Sequence, residues 1–413
     1  MAYGIGLSSR GTPYAPVAAA AALAMDGEVK GGATLLFNGT QSTIGGACLA
    51  NSALFHGRAQ EDTCGAAHFG TVLVPLLTAL VEAKGLPLDD LLPALIAGYE
   101  AGGLVEQALG PVTTPAGFRS TAVYGTISAA ASAARLLNLS PAQTASALRN
   151  AVSFSGGVLQ SFVDATDEWR YQPGIVARNG WVAAELAAAG SVTAPRAFEG
   201  KSGLARAFAG VDIDASTLAS RLGRDWSMRR VTFKPFPVCA FNQTPVTAAL
   251  ALRARIDVAS IQRVRVRMNP FETGYAGMDA RGPFSSISGT LMSIPFCVAA
   301  SLIYGAPSYA RMTQFDDADL NAFETRVELL ADPDVPTLTT ILEVDVGGDV
   351  TVVQEQRMTE LDYQYDRSAA LTLLCRIGSE QGIASSSYDR INAFVDEMSG
   401  SQVTEIAEIF SGS

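Results

Sequence analysis

Thr121-Ala122-Val123-Tyr124-Gly125-Thr126-Ile127-Ser128-Ala129-Ala130-Ala131-Ser132-Ala133-Ala134-Arg135-Leu136-Leu137 carries a single charge, Arg135, and is otherwise made of Ala, Ser, Thr, Gly and a few larger, mostly apolar side chains. No polar stripe marks a solvent face, so a helix here is buried on all sides by close neighbours. Residues 180–189 have the same texture. Helices of this kind pack in a bundle, and the flanking sequence agrees. The run from Val72 to Lys84 ends on Gly85, as a helix C-terminus does, and Asp89-Asp90 leads into a helix from Leu91 to about Glu100. Ser140-Pro141-Ala142-Gln143 has a cap residue, a proline at the first helical position and Gln at the third, a capping box that opens a helix reaching about Val152. No β-α alternation with a Gly-rich phosphate loop occurs, which argues against a dinucleotide or ATP fold.

The texture changes after about Met228. Val231-Thr232-Phe233 and the run from Ile261 to Met268 alternate apolar and polar residues as half-buried strands do, the second with arginines on one face. Residues 342–346, Gly347-Gly348 and 349–354 read as a hairpin, and helices are expected from Gln243 to Arg255 and from Leu291 to Tyr304. From Asp366 the chain returns to helix. The expected organisation is mainly α: a large all-helical domain (1–228), a smaller α+β lid domain (229–365) and a helical C-terminal segment (366–413) rejoining the first. Its 413 residues exceed the roughly 250–300 at which one core stops growing, which also favours two domains.

Composition narrows the function. A net charge of −11 and a pI near 4.8, with no basic run, argue against nucleic acid as a partner. No apolar run is long enough for a membrane span. Five cysteines without CxxC spacing read as free thiols in a reducing, cytoplasmic setting.

Only two histidines occur, His56 and His68. Imidazole is the side chain that titrates unperturbed near neutral pH, so His68 is the first candidate for proton chemistry, and any second imidazole is His56 or comes from another chain. His68 closes the run Glu61-Asp62-Thr63-Cys64-Gly65-Ala66-Ala67-His68, in which Asp62 or Thr63 is placed to fix its tautomer; the alternative is a turn that merely caps a helix. Cys64 and His68 lie four apart, but too few further ligands lie nearby for a metal site. Arg119 precedes the buried helix, where a guanidinium and a helix N-terminus can hold an anion together. Trp169, Arg170, Tyr171 and Gln172, followed by Arg178, form a polar concentration between apolar helices: a pocket wall, or else a surface loop with a cation-π pair. Lys234 and Cys239 flank two prolines at the bundle-to-sheet transition, placed for an interdomain cleft or in a stiffened linker.

In order, these segments resemble the MmgE/PrpD family of 2-methylcitrate dehydratases, cis-aconitate decarboxylases and iminodisuccinate epimerases. The matching runs are Ala50-Asn51-Ser52, Glu61 through His68, Gly117 to Thr121, Gly174 to Gly180, Lys234 to Cys239 and Ser293-Ile294-Pro295-Phe296, spread over about residues 31–380. The resemblance implies a helical domain with an α+β lid, usually a homodimer, and a site that needs no cofactor and no metal. Family active-site roles carry onto His68, Lys234, Asp62, Thr63, Cys239 and Phe296. The chain departs from the family in having Arg119 where relatives have a histidine, and Trp169 to Gln172 where many have Lys-Pro-x-His.

The expected function is a lyase, dehydratase- or decarboxylase-like, acting on a small carboxylate-bearing substrate. His68 is the base, with Lys234 or Tyr171 handling the opposing proton and Arg119, Arg170 or Arg178 and Lys234 clamping carboxylates. An epimerase or isomerase on a similar carbon acid, or a carboxylate-binding pseudoenzyme, are the alternatives.

Overall fold

Ser120–Leu136 is a helix in the computed structural model, and every residue in it except Arg135 is buried. The structure describes residues 1–348 and 350–412. In chain order the first helices are α1 (Ala2–Ser8), α2 (Tyr14–Asp26), α3 (Ile44–Phe55), α4 (Gly70–Lys84), α5 (Leu91–Thr113), α6 (Ser120–Leu136), α7 (Pro141–Phe154), the short α8 (Gln160–Val163) and α9 (Gln172–Ala188). The fold is mainly α and divides into two units: Met1–Val158, Arg170–Thr232 and Tyr365–Ser413 form one, Leu159–Trp169 and Phe233–Gln364 the other.

In the first unit α6 packs against α5 and α9. Close approach is possible because side chains are missing where backbones meet. Ser128 and Ser132 of α6 donate to the carbonyls of Gly98 and Ala94 in α5, both at 2.8 Å. These buried hydroxyls are therefore satisfied inside the bundle. On the other side of α6, a Cβ on Gly180 would lie 2.4 Å from Ala129 Cβ and 2.7 Å from the Ala130 nitrogen. A Cβ on Gly174, at the start of α9, would lie 2.6 Å from Leu49 Cα of α3. The expected capping box at Ser140 and Gln143 is formed and opens α7.

Helix α5 continues to Thr113, beyond the Glu100 end that the sequence suggested. Gly102 and Gly103 look like breakers but are packing points, facing Ser128 and Ser227. The C-terminal helices Arg367–Ser379, Ser385–Asp396 and Thr404–Ser411 belong to this unit. Gly4 of α1 lies against Leu374, and Ser8 shares a 2.7 Å hydrogen bond with Tyr388.

The second unit holds a four-stranded sheet. Strands β1 (Ala33–Thr34), β2 (Gln41–Ser42), β3 (Asp62–Thr63) and β4 (Thr232–Phe233) are two-residue pieces; the sheet is formed by β5 (Arg263–Met268), β6 (Val327–Ala331), β7 (Thr339–Asp345) and β8 (Thr351–Arg357), in the order β6-β5-β7-β8. β5 runs parallel to β6 and antiparallel to β7, with Val266 opposite both Leu329 and Leu342. Its alternation sends Val264, Val266 and Met268 into the core. Arg265 and Arg267 on the other face pair with Glu343, Asp345 and Asp332. The expected 342–354 hairpin is the β7–β8 pair; Asp349, which that expectation included, lies outside the described residues. β6 was not apparent from the sequence.

Residues 159–169, which the sequence placed with the bundle, cluster with this second unit. Trp169 Nε1 donates to Ser288 Oγ at 3.0 Å, and Phe162 packs against Trp169 and Tyr275.

Candidate active site

His68 sits between a tight turn and α4, held by backbone and side chain. Cys64 and Ala67 exchange backbone hydrogen bonds across the turn, with Gly65 at φ +62°. Glu106 of α5 accepts from the Ala66 N–H at 2.9 Å. The His68 N–H donates to Thr121 Oγ1 in the first turn of α6 at 3.0 Å, and its carbonyl accepts from Thr71 Oγ1 at 2.8 Å.

The ring is fixed as well. His68 Nδ1 lies 2.7 Å from the backbone carbonyl oxygen of Asp62. A carbonyl only accepts, so Nδ1 carries the proton, and in the neutral ring Nε2 bears the basic lone pair. The His68 side chain is 16% exposed, in contrast to the closed shell beside it. Glu61 is 3% exposed, with Oε1 3.7 Å from His68 Nδ1 and Oε2 3.1 Å from His56 Nδ1. The two imidazoles are 5.5 Å apart between ring centres. His56, the C-cap of α3, is fully buried, and its Nε2 lies 2.7 Å from Arg119 Nη2.

The Asp62 carboxylate turns away from His68. Both its oxygens accept from the Gly70 N–H at 3.0 Å, and Oδ2 also accepts from Tyr99 at 2.7 Å. A carboxylate at the N-terminus of α4 meets the positive end of the helix dipole. Burial first, then the Asp62 charge and its hydrogen bond, push the Tyr99 phenol well above its ordinary range, so it remains a donor. Asp62 thus reaches His68 through its carbonyl, while its side chain builds the helix start. Thr63 shares a 2.5 Å hydroxyl contact with Thr232. Cys64 is fully buried, and burial raises its thiol to about 12. Metal ligation needs the thiolate, which that environment disfavours. Among the described residues no group of three or more His, Cys, Asp or Glu is arranged to hold a metal ion.

Arg119 is the N-cap of α6, 2% exposed, and donates from Nη1 to Gln172 Oε1 at 3.1 Å as well as facing His56. Arg170 is fully buried, stacked 3.9 Å from the Tyr14 ring centre, with Nε 3.4 Å from the Gly57 carbonyl. Tyr171 is half-buried at the start of α9, and Arg178 lies along α9 with its stem against Gly45. In the second unit Trp169 is held by Ser288, Lys234 is 4% exposed, and Cys239 is half-buried with its N–H on the Leu291 carbonyl. Phe296 is completely buried, edge-on to Phe284 at 5.3 Å. No disulfide joins any of the five cysteines.

The sequence offered no signal for Glu61 as the link between the two histidines; only its place beside Asp62 drew attention to it. A cavity of about 960 Å³ between α5, α6, α7 and the 195–226 segment, walled by Ile96, Leu104, Ile127 and Trp226, contains none of these candidate residues.

Residues 2–215 match the model of the MmgE/PrpD N-terminal domain, and residues 236–367 that of the MmgE/PrpD C-terminal domain. The chain belongs to the MmgE/PrpD family. It is similar to the cis-aconitate decarboxylase-like protein oryM of Aspergillus oryzae (strain ATCC 42149 / RIB 40), 26% identical over 265 residues, covering 58% of this chain and 54% of that protein. It is also similar to the cis-aconitate decarboxylase of Homo sapiens, 30% identical over 220 residues, covering 51% and 44%. The chain thus spans about half the length of these curated relatives. In this MmgE/PrpD member the run from Gly174 to Gly180 is a packing device, since its two glycines seat α9 on α3 and α6. Among the described residues no helix is long and apolar enough to cross a membrane.

Proposed function

We propose that this protein is a cofactor-independent lyase, dehydratase- or decarboxylase-like, acting next to a carboxylate of a small, multiply anionic substrate with His68 Nε2 as the proton-transfer atom. The supporting observation is the 2.7 Å contact of His68 Nδ1 with the Asp62 carbonyl, which puts the basic lone pair of the neutral ring on Nε2. Proton abstraction beside a carboxylate builds negative charge, so a base must be paired with fixed cations. In elimination, Nε2 takes the proton while the leaving group departs with its electron pair. In decarboxylation, carbon dioxide leaves and the carbanion takes a proton from the imidazolium. Either way Glu61, 3.7 Å from Nδ1, offsets the positive charge on the ring.

The resemblance of the 61–68 run and the similarity to decarboxylases favour a lyase over an epimerase, which would return the proton to the opposite face. Lys234 and Tyr171 are proposed for the opposing proton, and Arg178 for substrate charge. Arg119 and Arg170, whose observed contacts are internal, are proposed to act on the substrate at most through the shell they hold. Substitution decides these roles: Lys234→Met and Tyr171→Phe are expected to lower kcat, Arg178→Met to raise KM. A homodimer is expected and is checked by light scattering.

Incubation with di- and tricarboxylates in deuterated water, read by NMR and mass spectrometry, tests the central point. Deuterium at a carbon position, or product formation, that disappears in His68→Gln supports the lyase. Tight binding without exchange would point to a pseudoenzyme, and turnover that survives His68→Gln would remove His68 from the chemistry.

A further inference from the structure

The neighbouring imidazole raises a question that proximity leaves open: whether His56 is a second proton carrier. Its two nitrogens face different partners. Nε2 lies 2.7 Å from Arg119 Nη2, and Nδ1 lies 3.1 Å from Glu61 Oε2. A guanidinium has only donors and does not lose its proton in proteins, so this contact requires His56 Nε2 to accept. The His56 proton then sits on Nδ1, toward Glu61. Protonating Nε2 would set two donors and two cations face to face in a site where His56 is fully buried and Arg119 is 2% exposed.

We propose that Arg119 locks His56 as the neutral, Nδ1-protonated imidazole, so that the pair contains one titrating ring, His68, and the Arg119–His56–Glu61 chain acts as a positioning arm. The arm's role in turnover rests on His68 being the base. The other charges around it have partners of their own: Arg58 donates to Gln60 and Glu380, Arg170 contacts Gly57 and Tyr14, and Asp62 is engaged by Gly70 and Tyr99. What Arg119 supplies, and a histidine at 119 would not, is a donor of permanent charge. Glu61 thereby faces the Nδ1 edge of a neutral His56 at 3.1 Å, with its other oxygen turned to His68.

A chain with two histidines makes the test direct. The full-length protein is labelled with ¹⁵N-histidine, and long-range ¹H–¹⁵N correlations are followed from about pH 5.5 to about pH 9, the range in which free imidazole titrates. His56→Ala assigns the signals. The expected result is one ring that titrates and one that keeps an unprotonated Nε2 and a protonated Nδ1 throughout. In Arg119→Met the silent ring should begin to titrate, and the pH profile of substrate deuterium exchange should gain a second ionisation; Arg119→Lys, which restores a cationic donor, should return both toward wild type. If Arg119→Met does not fold, the wild-type spectrum still decides. A wild-type His56 that shifts by a full titration amplitude, or that carries its proton on Nε2, overturns the proposal. Absence of exchange with every carboxylate would count against the lyase while leaving the spectroscopic result valid.

Discussion

The backbone N–H of His68 donates to the hydroxyl of Thr121, so the first turn of a helix buried at every residue but Arg135 sets the position of the imidazole. The residue that starts the fold-defining stretch thereby serves the site. Thr121→Val keeps the shape but removes the acceptor, leaving a partly buried N–H unpaired. A loss of about 1–3 kcal/mol in stability is expected. A looser ring should lower kcat about 10-fold or more with little change in KM, because a small misplacement of a catalytic group is costly. Thr121→Ser should restore both. Steady-state kinetics with urea unfolding checks this, and an unchanged kcat in the valine variant would detach the helix from the chemistry.

Asp62 is expected to matter chiefly as the start of α4. Asp62→Ala leaves the Gly70 N–H and the buried Tyr99 hydroxyl without their acceptor, at about 1–3 kcal/mol for each stranded group. Asp62→Asn should cost less, since one oxygen can still accept. Adding Tyr99→Phe to Asp62→Ala should recover part of the loss, because the stranded hydroxyl is gone. Equal unfolding midpoints for the single and double variants would show that the Tyr99 contact carries no weight.

Much of this was legible in the sequence, for reasons that lie in particular residues. The absence of charge from Thr121 to Ala134 could only mean burial, and the Ser140–Gln143 capping box is a local signal that needs no tertiary information. His68 stood out because the chain has so few imidazoles. Other features were not readable because they depend on non-local partners. Arg119 reads as an anion binder when only its neighbours in sequence are considered; its contact with His56 spans 63 positions. Arg170 likewise reads as a pocket residue until Tyr14 is brought beneath it. The Gly102-Gly103 pair resembles a helix end until Ser128 and Ser227 occupy the space that side chains would need. Strand β6 was missed because Val327-Glu328-Leu329-Leu330-Ala331 lacks clean alternation; its pairing with β5 defines it.

Gly180→Ala tests whether the second glycine of the 174–180 run is there for packing. The added methyl would lie 2.4 Å from Ala129 Cβ and 2.7 Å from the Ala130 backbone nitrogen, and backbone cannot step aside as a flexible side chain can. Alanine has the better helix propensity by about 1 kcal/mol, so a surface position would gain stability. Here overpacking should win, with a net loss of about 1–3 kcal/mol. Thermal or urea unfolding decides the sign, and a stabilised variant would show that α6 and α9 have room to separate.

Glu272 gives the second unit a pH dependence of its own. It is 2% exposed; Oε1 accepts from the Leu338 N–H at 2.9 Å, while Oε2 has no hydrogen-bond partner. Burial raises its pKa from 4.5 to about 7, with the Leu338 hydrogen bond opposing. The folded state therefore binds this proton more tightly than the unfolded chain does. Stability from this group is fully present below the unfolded value, declines as pH rises, and is lost once pH passes the folded value near 7. The loss is of the order of 3 kcal/mol, because each tenfold change in proton affinity is worth about 1.4 kcal/mol. Glu272→Gln keeps an acceptor for Leu338 and cannot ionise, so it should gain on wild type between about pH 5 and about pH 8 even if it starts level or slightly behind. Comparing the two proteins also removes the background of Glu106, which burial raises in the same direction in the first unit. Urea midpoints measured across that range should separate from a level start, or cross from a lower one, in favour of Glu272→Gln as pH rises; parallel lines would mean that Glu272 stays ionised in the folded protein and finds a partner for its second oxygen.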